Sequence, residues 1–428
     1  MESTSLVAFP SDDEPHIKRS GDDFVAEWPL THPYLAIRFR NLYEDKQGVH
    51  AELAVLVNLP AWPKRPEWGR LNLMAATTRA QTARRLAEQW QGPGSPSWTV
   101  LLTDACASVV TTYREGEPFT FLSPDSGVTK PEYALYPILP KNRISTLFGD
   151  GASGKGLIAL SCALSIQEGG DLLDVGSVAE PGTGLYLDYE ADEDEQNFRL
   201  QRLAAGFGLA SWKQMAYRQL FQPLHQEAAA IRRFVDDHHV TFVVLDSLGA
   251  AVGADLNDAH EIIRVWSIMR SFRCTVLVID HTSKGDSQGR ATGSNYKYHY
   301  SRAIWETKKA TDAGSRELRV ALLNHKMNNG PLSAPVGFRF AFDGDDGAIT
   351  TERFDVRGDD TLAANATVPN RIMFILRQRP VRFPELLEEL RVATPDLKEN
   401  TVTQAVKRLR DQRRVSVAPD GRYGLTAT

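Results

Sequence analysis

Gly149-Asp150-Gly151-Ala152-Ser153-Gly154-Lys155-Gly156 is the stretch on which the fold turns. It directly follows a β-branched run, RISTLF at 143–148, and opens a helical pattern from Leu157 to Gln167. Strand, glycine-rich loop and helix in that order are the context a phosphate-binding loop requires. The glycines let successive backbone N–H groups converge on phosphate oxygens, the helix N-terminus adds partial positive charge, and Lys155 can reach the β- and γ-phosphates of a nucleotide. The expected nucleotide-binding residues are therefore Gly149, Asp150, Gly151, Ala152, Ser153, Gly154, Lys155, Gly156 and Leu157. The last position of the motif normally carries Ser or Thr, whose hydroxyl meets Mg²⁺. Here it is Gly156, so water would have to replace that hydroxyl. A plain glycine-rich turn is the alternative.

Around this loop, short apolar runs alternate with helical patterns: GLYLDY (184–189), TFVVLD (241–246), TVLVID (275–280) and LRVALL (318–323). Continuous apolar strands separated by helices predict an α/β core with a mostly parallel sheet covered on both faces, its chemistry at the strands' C-terminal ends. Asp246 ends one such strand and can hold hydrated Mg²⁺, or else cap the following turn. Asp188 and Glu190 end another, and a fixed carboxylate there suits a residue that polarises attacking water; Glu190 is the choice. The acidic run Asp192 to Glu195 reads instead as a solvated helix start. His281 follows the TVLVID strand and either senses a γ-phosphate or is a satisfied turn residue. Lys284 and Arg290 lie on the glycine-rich loop beyond it, suited to a nucleic-acid backbone. Lys326 stands just before the Asn-Asn-Gly-Pro turn, from where a lysine could cross a subunit interface to a neighbour's γ-phosphate.

Taken in order, GDGASGKG, YLDYE, VVLDSLG, IDHTSKG and KMNNGP resemble the RecA-like ATPases of the plasmid RepA and DnaB replicative-helicase group, over residues 130 to 357. The resemblance implies a catalytic base at Glu190, a γ-phosphate sensor at His281 and a trans-acting Lys at Lys326. That family also carries an Arg two residues after the Lys, where this chain has Asn328. The stretches RLNLMAATTRAQTARRLAEQW and WTVLLTDAC are more weakly similar to the N-terminal regions of phage and mobile-element ATPases.

The flanks differ in kind. Alternating runs at Tyr34–Arg40 and His50–Val57 predict a β-hairpin, followed by a helix over Thr77–Trp90 with Ala80, Ala83, Leu86, Ala87 and Trp90 on one face, and a further apolar stretch at Trp98–Tyr113. After a turn-rich segment from Phe342 to Asp360, helical patterns at Pro369–Gln378, Pro384–Val392 and Asn400–Arg413 lead into VSVAPDGRYGLT, two short strands about a turn. Three helices and a hairpin predict a winged helix-turn-helix. Val402, Ala405, Val406 and Leu409 form its inward stripe, with Asn400 placed to cap the helix. Gln404, Lys407, Arg408 and Arg410 then face outward as DNA contacts, or as a solvated basic face. The expected division is a small α+β domain at 1–128, a RecA-like P-loop core at 129–360 and a winged helix at 366–428.

Composition sets the outer limits. The 428 residues carry a net charge of −5, but residues 366–428 hold 12 Lys and Arg against 7 Asp and Glu, so the basic character is concentrated in the tail. No stretch approaches the roughly 18 apolar residues of a membrane span. Met1 to Lys18 carry Asp12, Asp13 and Glu14 without a basic-then-apolar pattern, and Cys106, Cys162 and Cys274 are widely spaced, which argues against a disulfide framework and a cysteine zinc site and for the cytoplasm. The expectation is an ATP- and Mg²⁺-dependent DNA motor of a phage or mobile element, a replicative helicase or helicase-like translocase. It would hold single strands in the channel of a homo-oligomer, a hexamer by preference, hold duplex at the winged helix, and make no membrane contact. The rivals are a RecA-like ATPase of recombination or helicase loading, and a nucleotide-controlled DNA-binding regulator that turns over little.

Overall fold

The computed structural model describes residues 14–20, 23–28, 34–57, 69–90, 96–117, 119–121, 123, 130–178, 181–253, 256, 258–282, 296–310, 314–356, 362 and 368–426. The chain forms two compact units, Met1–Thr129 and Lys130–Thr428.

In the first unit, β1 (His16–Ser20), β2 (Asp23–Trp28), β3 (Leu35–Asp45), β4 (Gly48–Val57) and β5 (Gly69–Asn72) form an antiparallel sheet in chain order. The expected hairpin is β3 and β4, with Asp45 opposite Gly48 at the turn. α1 (Ala76–Gln89) and α2 (Trp98–Glu115) pack with the sheet around Phe24, Ile37, Phe39, Leu86, Leu102 and Val109. The buried stripe of α1 is narrower than its sequence suggests: Ala83 and Leu86 are buried, whereas Ala80 and Ala87 are exposed. Alanine carries too little apolar surface to dictate which way a helix turns.

The second unit opens with β6 (Tyr133–Leu135) and β7 (Leu139–Pro140), a small pair of their own. Then come β8 (Ile144–Gly149), α3 (Lys155–Glu168), β9 (Thr183–Asp188), α4 (Glu193–Gly206), β10 (Ala216–Gln219), α5 (Leu224–Asp237), β11 (Val240–Asp246), α6 (Leu248–Val252), α7 (Ala259–Ser271) and β12 (Thr275–His281). They are followed by α8 (Tyr296–Tyr300), β13 (Ala303–Ala310), β14 (Glu317–Met327), β15 (Val336–Phe342) and β16 (Ile349–Phe354). The large sheet runs β10-β9-β11-β12-β8-β13-β14-β15-β16. Strands β10 to β13 in this order are parallel, and β14, β15 and β16 continue the sheet antiparallel.

Side chains alternate across this sheet as the pleat demands. Tyr186, Phe242 and Val244 face one core with Ile158 and Leu160 of α3. Leu185, Val243 and Val276 face the other with Ile231 of α5 and Trp266 of α7. Both faces are thus covered, which is why the strands read as unbroken apolar runs. Within the turn-rich segment 342–360, Ile349–Phe354 forms an additional strand, β16. As an edge strand with few buried positions it needs no apolar run, so its ITTERF sequence gives little sign of a strand.

Beyond it, α9 (Val368–Gln378), α10 (Phe383–Ala393) and α11 (Glu399–Asp411) precede an antiparallel pair, β17 (Val415–Val417) and β18 (Tyr423–Leu425), with Val381 bridged to Tyr423. These elements share a hydrophobic cluster of their own, from Ile372 to Val415. Val402, Ala405, Val406 and Leu409 are buried in it. Asn400 is not the helix cap; α11 begins at Glu399 after Lys398, which makes no side-chain capping bond. Among the described residues no helix is long and apolar enough to cross a membrane. All three cysteines are buried and free.

Candidate active site

The loop between β8 and α3 is built by close packing. At Gly149 a Cβ would lie 2.0 Å from Thr307 Oγ1 and 2.8 Å from the Thr307 carbonyl, so only glycine lets β13 pair this tightly beside β8. Gly154 sits at φ +82°, a left-handed conformation that an L side chain resists, and a Cβ there would also press on Val320 and Leu318 at 3.0 and 3.1 Å. Buried Ser153 shares a hydrogen bond of 2.6 Å with Thr307, whose hydroxyl also lies 3.2 Å from the Phe148 carbonyl. β13 therefore buttresses the loop from the side opposite the other parallel strands.

Lys155 is buried and donates to the carbonyls of Gly149 and Asp150 at 3.0 and 2.8 Å, lying back on its own loop. Burial pushes its ammonium below the usual lysine value, against the opposing pull of Asp246, Glu190, Asp150 and Asp280. A cation held so near four carboxylates, with its donors engaged only by carbonyls, is placed to turn toward an anion.

The sheet register gathers those carboxylates. Asp246 pairs with Asp188 across β11 and β9 and with Ile279 across β11 and β12. Asp246 is buried, and Tyr186 donates to its Oδ2 at 2.7 Å. Burial pushes the Asp246 carboxyl up to about 6; the Tyr186 bond works against this, and the nearby charges of Glu190 and Asp188 add to it. Asp188 is wholly enclosed: its Oδ1 accepts from the backbone N–H groups of Glu190 and Ala191 at 2.8 and 3.0 Å, and its Oδ2 from Gln196 at 2.7 Å. Its acceptors hold the turn that presents Glu190, which separates the two carboxylates of the YLDYE segment.

Glu190 is about half exposed, and its Oε1 lies 2.8 Å from Nε2 of His281 at the end of β12. Burial works to raise its pKa, but hydrogen bonds from Ser247 and His281, then the charges of His281 and Lys155, hold it below the ordinary glutamate value. The carboxylate is ionised at neutral pH. Thr282 donates to Asp150, linking the end of β12 to the phosphate loop. Asp192 caps α4 by accepting from the Glu195 N–H at 2.9 Å, so the acidic run is a helix start, as its sequence implies.

Lys326 stands elsewhere. It pairs with Ile304 on β13, which in turn pairs with Thr146, so it lies toward the end of the sheet away from Gly149. Its ammonium donates to the carbonyls of Tyr298 and His299 at 2.5 and 3.1 Å and sits 5.2 Å from the Tyr298 ring centre. Lys284 and Arg290 lie outside the described residues. Gln404, Lys407, Arg408 and Arg410 are exposed on α11, and Lys407, Arg410 and Arg413 line a groove between α11 and the β17–β18 hairpin.

Several residues near the loop carry no signal in the sequence. Tyr186 is hidden in an apolar strand, Thr307 in a strand interrupted by charge, and Lys309, which donates to the carbonyls of Gly151 and Ala152 at 3.3 Å each, on the same strand. Among the described residues no group of three or more His, Cys, Asp or Glu forms a preformed metal cage. The site still suits Mg²⁺ arriving with a nucleotide, which needs one or two carboxylates and supplies its other ligands from phosphate and water. A buried Asp246 crowded by Asp188 and Glu190 gains from a divalent charge.

A family model described as "AAA domain" matches residues 121–287. The KaiC-like protein PH0186 from the hyperthermophilic archaeon Pyrococcus horikoshii OT3 aligns in structure at a TM-score of 0.38 and 13% identity, covering 53% of this chain and 100% of that one. No curated protein matches the sequence. The domain match, the glycine-rich loop on its strand and helix, and the parallel sheet order together support a P-loop ATPase core of α/β architecture in the middle of this chain.

Proposed function

We propose that this protein is an ATP-driven DNA motor, a helicase or helicase-like translocase. The observation that carries this is the hydrogen bond between Glu190 and His281, which joins a candidate base to the end of β12, three residues before Lys284 in the sequence. A motor needs such a link, because DNA held by the loop must be able to alter the hydrolytic residue.

Lys155 turns from the carbonyls of Gly149 and Asp150 to the β- and γ-phosphates, while the backbone N–H groups of the loop hold the phosphate oxygens. Asp246 would hold hydrated Mg²⁺, which would supply positive charge to the phosphate oxygens. Glu190 orients the attacking water and accepts its proton. His281, adjoining both Glu190 and the loop, responds to the γ-phosphate. Lys326, remote from its own phosphate loop, serves a neighbour's site in a ring. Lys284 and Arg290 hold single strands by their phosphates, and α11 with its hairpin acts as a winged helix on duplex through Gln404, Lys407, Arg408 and Arg410.

Gly156, which lacks the usual P-loop hydroxyl, favours a second reading, a nucleotide-controlled DNA-binding regulator with little turnover. Steady-state ATPase rates with and without single-stranded DNA, together with strand displacement on a forked duplex, separate the two. DNA-stimulated hydrolysis with displacement supports the motor; binding of both ligands with negligible turnover supports the regulator; stimulated hydrolysis without displacement leaves a recombination or loading ATPase.

A further inference from the structure

The glycine at the end of the phosphate loop leaves a specific gap, and one atom is placed to fill it. A Cβ built on Gly156 would have Tyr186 Oη 4.0 Å away; among the described residues no other heavy atom comes as near, Gly156's chain neighbours and its own helix apart. A Ser or Thr hydroxyl at this position would stand one bond beyond that Cβ, in the region the phenol borders. Tyr186 arrives there by sheet geometry. It pairs with Val244 while Asp246 pairs with Asp188, so Tyr186 and Asp246 are diagonal neighbours on one face, the face on which α3 packs.

Tyr186 is fully buried and gives its proton to Asp246 at 2.7 Å. A phenol has a single proton, so what remains on the oxygen is acceptor capacity. That is what a hard cation, or water bound to one, requires from a protein hydroxyl. The hydroxyl thus offers, from a different strand, the kind of acceptor that a P-loop Ser or Thr offers.

We propose that Tyr186 replaces the missing P-loop hydroxyl and, with Asp246, forms the protein's share of the Mg²⁺ site that serves the nucleotide. The assignment rests on the nucleotide-binding reading above. It makes Gly156 a compensated substitution: the loop gives up its own oxygen where a strand supplies one.

The test is the Mg²⁺ dependence of equilibrium binding of a fluorescent ADP analogue, with Mn²⁺ affinity of the protein–ADP complex read by electron paramagnetic resonance. Tyr186→Phe keeps the ring and removes the oxygen. The metal concentration at half-saturation should rise at least about tenfold, the scale seen when a residue supporting a metal site is lost. Adding Gly156→Ser to that variant should recover most of the loss, because a hydroxyl returns from the other side. A role confined to steadying Asp246 would show the loss without the recovery and would overturn the assignment. So would an unchanged half-saturation in Tyr186→Phe. Thermal unfolding in chelator establishes that both variants are folded. If the unaltered protein showed no Mg²⁺-dependent nucleotide binding at all, the nucleotide reading would fall, and this assignment with it; normal binding that ignores Tyr186 overturns the assignment alone.

Discussion

Oε1 of Glu190 and Nε2 of His281 lie 2.8 Å apart, each side chain about half exposed, and they join the chain just beyond β9 to the end of β12. The glutamate is held ionised, so the imidazole N–H donates and the carboxylate accepts. A carboxylate tied to a histidine is a weaker proton acceptor than a free one. Drawing His281 away therefore leaves Glu190 the stronger proton acceptor.

Glu190→Gln should keep nucleotide affinity within a few-fold and lower steady-state hydrolysis at least about a hundredfold, the scale for removing a general base. Binding by fluorescence and turnover by phosphate release check the two halves. Near-normal turnover would move the role to another group, and Asp188 is a poor candidate, since its two oxygens already hold the Glu190 turn and Gln196.

Lys155→Ala should abolish turnover and weaken nucleotide binding without unfolding the core. The side chain's contacts are to two carbonyls of its own loop, and the hydrophobic clusters on both sheet faces do not include it. Circular dichroism and an ATPase assay decide this. Full turnover in the folded variant would remove the loop's functional assignment.

Asp246→Asn should stabilise the protein when no metal is present. The carboxyl's ordinary value of 3.8 is raised to about 6 in the fold, chiefly by burial. A raised folded value means the folded state holds the proton more tightly, so stability is lost as pH rises through 3.8 to about 6, and the full penalty applies above that. That rise corresponds to about 3 kcal/mol. In chelator at pH 7.5 the variant's melting temperature should exceed the parent's by several degrees, and the gap should shrink at pH 4.5. An equal gap at both values would mean that the carboxylate carries no such penalty.

Much of this site could be read from the chain, and the exceptions have a common cause. Lys155 announces itself by the glycine-rich loop before its helix, and Asp246, Glu190 and His281 because each is polar at or just beyond the end of an apolar strand, where β-sheet register brings such ends to one edge. Tyr186 sits two residues before such an end, inside an apolar run, and a tyrosine there looks like core. Thr307 is hidden because β13 carries Glu306, Lys308 and Lys309, which obscure it as a strand, although it pairs with Gly149 and fixes Ser153. What sequence pattern cannot supply is adjacency between strands distant in the chain: Tyr186 and Asp246 are 60 residues apart, and Ser153 and Thr307 154.

Two basic elements should hold DNA in separable ways. The hydrophobic cluster of α9, α10, α11 and the hairpin is built from residues 368–425 alone, so removing 366–428 takes away a self-contained core and leaves the sheet's two clusters intact. Truncation should weaken duplex binding while single-stranded DNA still stimulates hydrolysis. Within the full chain, Lys407→Ala should lower duplex affinity about equally for unrelated sequences and reduce the slope of log affinity against log salt by about 1, as loss of one phosphate contact does. Gln404→Ala, which removes a base-edge donor but no charge, should leave that slope alone and change sequence preference. Replacing Lys284 and Arg290 together with Ala should give the opposite pattern to truncation, abolishing stimulation by single strands while duplex binding persists. If truncation removed every response to DNA and the loop replacements changed nothing, DNA would act through the tail alone, and the regulator would displace the motor as the account of this protein.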